Sequence, residues 1–240
     1  MKAVHYYRCM RGIVWREALR FLNQRGRFLA ALVRPLVWLL IFATGFRFVL
    51  GISIIPPYQT YIPYQVYIAP GLIGMIIMFQ GMQSSLSMVW DRETGSMRTL
   101  LVSPLPRWYL LVSKLVGAVI VSVVQAYIFL GIARFWGVQP PNLGYLTVLP
   151  AAILIGMMLS ALGLFLSSVI RQLENFAGVM NFVIFPMFFA SSALYPLWTV
   201  RQANETLYEI CMANPFTHAV ELVRFAMYEK FNVVSFAVVA

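Results

Sequence analysis

The sequence predicts an all-α integral membrane protein, and three observations predict it. Of 240 residues, 61% are hydrophobic and only 11% charged, whereas soluble domains are about 25% charged. Two long runs, Phe48 to Trp90 and Leu115 to Ala133, carry no formal charge. Between them lies an island, Asp91 to Lys114, holding Asp91, Arg92, Glu93, Arg98, Arg107 and Lys114. Each of these would cost roughly 2.5–3.5 kcal/mol at the bilayer centre, so the island belongs in water and the flanking runs in lipid.

The elements follow in order. Residues His5 to Arg27 read as an amphipathic helix lying in the membrane interface, and residues 1–27 form the first unit. At 100° per residue, Val14, Trp15, Ala18, Leu19, Phe21 and Leu22 share a broad apolar face, with Arg16, Arg20 and Arg27 opposite. The remainder, 28–240, is the transmembrane unit. Its first span is about 28–50, with Arg34 and Arg47 near its ends, placed to snorkel. A Pro- and Tyr-rich loop leads to the second span, about 66–89, whose Gly71, Gly74, Gly81, Ser84 and Ser85 suit close helix contact. The third span is about 110–135. After the turn at Gln139-Pro140-Pro141-Asn142 come the fourth, about 146–169, with Gly156 and Ser160 as a packing face, and the fifth, about 176–194.

Tyr195 to Lys230 is too polar for a single span. Pro196 and Asn214-Pro215 break it into pieces that read as a hairpin dipping into the outer leaflet, or as an ordinary surface helix. Phe231 to Ala240 starts another apolar run; ten residues rise about 15 Å, half of a roughly 30 Å core, so the sixth span is expected to be truncated here.

Charge supports an orientation. Net charge is +10, but it is clustered rather than spread as a nucleic-acid footprint would be. Lys2, Arg8, Arg11, Arg16, Arg20, Arg25, Arg27 and Arg34, four basic residues of the island and Arg171 lie on one side of the predicted membrane. Only Arg47, Arg134, Arg201, Arg224 and Lys230 lie on the other. By the positive-inside rule the N-terminus is cytoplasmic. Cys9 and Cys211 then sit on opposite sides and cannot pair.

No phosphate-loop motif and no H-E-x-x-H occurs, and His5 and His218 fall on opposite sides. No catalytic, cofactor or metal residue is predicted. The spans lack charges at mid-depth, which disfavours an ion-coupled carrier; energy for uphill transport would come from a partner. The island offers a docking element. Thr94 or Ser96 can cap a short helix, with Asp91 and Glu93 near its N-terminus. Met97, Leu100 and Leu101 share a face, and Pro104 ends it. Such a helix suits a groove on a cytosolic partner; the alternative is a helix that merely lies on the membrane.

The segment Asp91-Arg92-Glu93-Thr94-Gly95-Ser96-Met97-Arg98-Thr99-Leu100-Leu101-Val102-Ser103-Pro104-Leu105-Pro106-Arg107 resembles the signature loop of ABC-2-type transporter permeases. The basic N-terminal helix, Ala69-Pro70-Gly71 in the second span and Asn214-Pro215-Phe216-Thr217 before the last span agree in order. The resemblance implies the six-helix ABC-2 transmembrane domain, with an N-terminal interfacial helix, a cytosolic coupling helix and an outer re-entrant hairpin. It implies a permease subunit of an ATP-driven exporter in the bacterial inner membrane, not itself an enzyme. A second permease copy, as a homodimer, and a cytosolic ABC ATPase carrying ATP and Mg would be its partners, with no cofactor in this chain. Within the family the chain is similar to permeases associated with quinoprotein (PQQ) alcohol oxidation.

The residues implied for ATPase coupling, across 93–104, are Glu93, Gly95, Met97, Leu100, Leu101 and Pro104. Those at the outer gate are Tyr195, Pro196, Asn214 and Pro215. Phe42, Phe46, Met75, Met78, Phe79, Phe182 and Phe188 are candidates for the conduit, with packing against helices or lipid as the plainer role. The alternative function is a non-transporting anchor or assembly factor for a cytosolic protein.

Overall fold

The computed structural model describes residues 3–23, 25–45, 57–58, 62–97, 102, 106–170 and 172–240. Among them the chain forms α1 (Ala3–Asn23), α2 (Arg25–Gly45), α3 (Tyr64–Glu93), α4 (Arg107–Ala133), α5 (Gly144–Val169), α6 (Leu173–Phe189), α7 (Leu197–Ala203), α8 (Glu205–Ala213), α9 (Pro215–Met227) and α10 (Val233–Val239), with a 3₁₀ turn at Arg134–Trp136. The long apolar runs of α3, of α4 with its 3₁₀ turn, and of α5 can each cross a membrane, and shorter apolar helices lie at Leu29–Ile41 and Leu173–Phe189. At 17 residues, α6 rises about 26 Å, close to the lower length limit of a span.

α3 is the central helix, packing against α2, α4, α5, α6 and α9. Lipid supplies no hydrophobic drive between helices, so close approach and dispersion must hold them. The glycines of α3 permit that approach. A Cβ on Gly81 would lie 2.9 Å from Ser160 Oγ of α5, and one on Gly163 of α5 would lie 2.5 Å from Ser85 Oγ. The expected Gly156/Ser160 face divides: Ser160 meets α3, while a Cβ on Gly156 would lie 3.4 Å from Val119 of α4.

α3 and α5 run from one end of the bundle, here the far end, to the end that carries α1 and the island; α4 and α6 run back. At 30 residues α3 is about 45 Å long, longer than the hydrocarbon core. It continues past the expected limit at residue 89 and takes Asp91, Arg92 and Glu93 into its last turn.

The predicted breaks at Pro196 and Asn214 stand at the N-caps of α7 and α9, and a further break falls at Asn204, extended at φ −158° and N-capping α8. Asn214 closes two helix ends at once. Its Oδ1 accepts from Phe216 N–H at 3.0 Å, and its Nδ2 donates to the carbonyls of Met187 (2.8 Å) and Ala190 (2.6 Å) beyond Pro186 in α6. α9 buries Phe216, Val220 and Val223. A Cβ on Gly74 of α3 would lie 3.2 Å from Phe216 and Val220, ten residues or about 15 Å below the start of α3. At its other end, Met227 lies against Gly144, the first residue of α5. α9 therefore starts within the bundle and climbs back to the far end.

Candidate functional site

Three consecutive charged residues end α3 and between them tie it to four other helices. Asp91, 2% exposed, accepts from Lys114 Nζ of α4 at 2.8 Å. It also lies 3.6 Å from Arg16 Nη2 and 3.5 Å from Arg20 Nη2, both on α1. Arg92 Nη1 donates to the Ser167 carbonyl in the last turn of α5 at 2.9 Å. Glu93 Oε1 accepts from Leu173 N–H, the first residue of α6, at 2.8 Å. Thr94 then folds back, its N–H and Oγ1 both donating to the Trp90 carbonyl, at 3.0 and 2.9 Å. Gly95 has φ +72°, the left-handed conformation that ends a helix and that glycine adopts without a Cβ penalty. Ser96 and Met97 begin the next helical turn.

Thr94 closes α3, so Asp91 and Glu93 lie at its C-terminal end, while Ser96, the other expected cap, opens the turn that follows. A carboxylate is unfavourable at a helix C-terminus. Here Asp91 is compensated by three cations from α1 and α4, and Glu93 by the positive N-terminal end of α6. On α1, Arg16 and Arg20 turn toward Asp91, while the apolar Trp15 and Leu22 are 64% and 61% exposed. The buried side of α1 carries Ile13 and Glu17, with Glu17 within 3.4 Å of where a Cβ on Gly117 would stand. The guanidinium carbon of Arg34 sits 4.3 Å over the Phe79 ring of α3.

Of the expected coupling residues, Glu93, Gly95 and Met97 cluster at this turn; Leu100, Leu101 and Pro104 lie outside the described residues. The conduit candidates share no one face. Met75, Met78 and Phe188 are core residues, Phe79 is half-buried beneath Arg34, and Phe182 is 78% exposed. Phe46 and the side chain of Phe42 lie outside the described residues.

At the far end the four expected gate residues take structural roles. The Tyr195 hydroxyl donates to the Phe189 carbonyl, Pro196 starts α7, and Asn214-Pro215 starts α9. Sequence reasoning missed the residue that organises this end. Arg224, 2% exposed, pairs with Glu221, donates to the Ser192 carbonyl at 2.7 Å and lies 4.1 Å over the Tyr67 ring. Tyr67 donates to the same Ser192 carbonyl at 3.0 Å, and Tyr64 to the Leu194 carbonyl at 2.5 Å. Tyr58, packed on Tyr228 with ring centroids 4.8 Å apart, is held neutral: burial pushes its hydroxyl's ionisation up, against the opposing pull of Arg224. The only sequence signal for this cluster was the i, i+3 spacing of Glu221 and Arg224.

Long apolar helices around a central span, a basic amphipathic helix at one end and a hairpin returning from within the bundle at the other define a multi-pass helical membrane protein. The chain belongs to the ABC-2 type transporter family, whose model matches residues 9–228. It is 33% identical over 170 residues to an Escherichia coli K12 protein named as a probable multidrug ABC transporter permease, YbhR; the match covers 70% of this chain and 45% of that protein. It is 24% identical over 225 residues to ycf38 of Pyropia yezoensis, named as a transport permease, covering 93% of this chain and 75% of that one. The chain thus spans about half the length of its E. coli relative.

Proposed function

We propose that this chain is the membrane subunit of an ATP-driven exporter, working as one of two copies and docking a separate cytosolic ATPase through the 93–104 segment. ATP and Mg belong to that ATPase, and this chain catalyses no reaction. Its N-terminus is cytoplasmic, in a bacterial inner membrane. The observation that carries the reading is the bonding of Asp91, Arg92 and Glu93 to α1, α4, α5 and α6. A force applied to the turn at Gly95 reaches four helix ends through side chains one or two bonds away. A mere anchor needs no such connection. The family membership, and the naming of the E. coli relative as a multidrug ABC transporter permease, support a transport role.

The test is co-expression with a phosphate-loop ATPase encoded beside this chain's gene. The expected result is a copurifying complex whose ATP hydrolysis requires this chain and drives accumulation of an amphiphile in inverted vesicles. An ATPase that binds and hydrolyses without any transport would favour the anchor reading instead.

A further inference from the structure

A cavity of about 270 Å³ lies where α1, α3 and α4 meet at the island end, lined among the described residues by Ile13, Met88, Met97, Leu110, Leu111, Arg107 and Lys114. Five of these side chains are apolar and two are cationic. Lys114 is largely committed to Asp91. Arg107 is exposed, and among the described residues it has no ion-pair or hydrogen-bond partner. Beside it Trp108 is 64% exposed, as an aromatic at headgroup depth would be. The two features of the site, an apolar floor opening at the end of the spans and an unneutralised guanidinium at its mouth, match the two parts of one kind of molecule.

We propose that this cavity is a binding site for an anionic phospholipid of the leaflet at the α1 end, with an acyl segment against Ile13, Met88 and Leu110 and the phosphate on Arg107. Charge decides the occupant. A zwitterionic lipid could fill the floor equally well but gains less from the guanidinium. Arginine is suited to phosphate because its planar fork can donate two parallel hydrogen bonds, and basic pockets between membrane helices are recurrent headgroup sites. The bound lipid would join α1 to the start of α4 beside the Asp91 cluster. The inference needs only a membrane at this end of the bundle. It stands whether or not an ATPase docks, and its test measures no transport.

The test is native mass spectrometry of the purified chain after equilibration with mixed micelles of dioleoyl-phosphatidylglycerol or dioleoyl-phosphatidylcholine. One phosphatidylglycerol should be retained per chain in preference to phosphatidylcholine. Arg107→Gln should weaken that retention about fivefold, the worth of one basic residue near an anionic surface. Leu110→Trp, which fills the floor and leaves the charge, should reduce retention of both lipids. Arg201→Gln, at the far end, should change nothing, and unchanged thermal unfolding of Arg107→Gln will show that the fold is intact. Equal retention of the two lipids by the native chain, as expected of a groove made for a protein segment, overturns the proposal. So does retention of phosphatidylglycerol by Arg107→Gln and Leu110→Trp at the native level.

Discussion

The carboxylate of Glu93 and the backbone N–H of Leu173, 80 residues apart, are joined by a 2.8 Å hydrogen bond. Glu93 serves α6 as an N-cap supplied from another helix, because Gln172, at the local cap position, makes no side-chain capping bond. Loss of an N-cap costs about 0.5–2 kcal/mol. Glu93→Ala should therefore lower thermal stability by that amount, and transport should fall while ATP hydrolysis by the complex continues. Glu93→Gln keeps an acceptor oxygen and should restore most of both. Failure of the glutamine variant to rescue would assign Glu93 to charge pairing with the partner rather than to capping.

Asp91 and Lys114 form a buried pair, their side chains 3% and 10% exposed. Removing one partner of such a pair costs about 3–5 kcal/mol, because the other charge is left buried and unpaired. Asp91→Asn additionally leaves Lys114 without its anion and Arg16 and Arg20 with Glu17 alone. It should be the most destabilising single change at the island end, read by thermal unfolding in detergent. The double variant Asp91→Leu/Lys114→Met should be more stable than Asp91→Asn alone; strict additivity in a double-mutant cycle would show that the two do not interact.

A Cβ on Gly71 would lie 2.6 Å from the Ala193 carbonyl oxygen, a backbone atom held by the segment that accepts from Tyr64 and Tyr67. Gly71→Ala should cost about 1–3 kcal/mol through overpacking. Gly131 meets nothing within 4 Å, so Gly131→Ala should be neutral or stabilising. Parallel melting curves of the two variants compare one chemical change in two environments.

Arg224 holds α9 to the Ser192 carbonyl and to the face of Tyr67. Cys211, fully buried, precedes α9 and reports on its seating, since its carbonyl accepts from Thr217 Oγ1 at 2.6 Å. In a Cys9→Ser background, Arg224→Ala should speed maleimide labelling of Cys211 by at least about tenfold, the opening expected from losing more than about 1.4 kcal/mol of local stability. Unchanged labelling would remove Arg224 from control of the hairpin.

Val102 and Phe135 are 84% and 89% exposed, at the island end and the far end. With a cytoplasmic N-terminus, Phe135→Cys should react with an impermeant maleimide on intact cells. Val102→Cys should react only after permeabilisation. The reverse pattern would invert the orientation and place the 93–104 segment beyond the reach of any cytosolic ATPase.

Much of this architecture was legible as a string. The charge-free runs pointed to the long apolar helices α3 and α4, because the cost of a charge in hydrocarbon depends on its position along the chain and little on its neighbours. Asn214-Pro215 marked the start of α9, since proline fits only the first turn of a helix and asparagine can close one. The glycines of α3 pointed to close contact, and Gly71, Gly74 and Gly81 make it. The boundary of α3 was not legible. Asp91 and Glu93 look like residues in water when read alone, and their partners, Lys114, Arg16, Arg20 and Leu173, are spread from one end of the chain to well past its middle.

By itself the sequence determined that this is a helical membrane protein of the ABC-2 kind, with its basic residues concentrated toward one end. Hydropathy and a long local motif are properties of consecutive residues, and they survive without coordinates. Only the tertiary structure decided which charges are buried and how they are satisfied: Asp91 among three cations, Arg224 on a carbonyl and a ring. A desolvated charge is tolerated only when partners from other helices come within a few ångströms, and that proximity is created by packing, not by order along the chain.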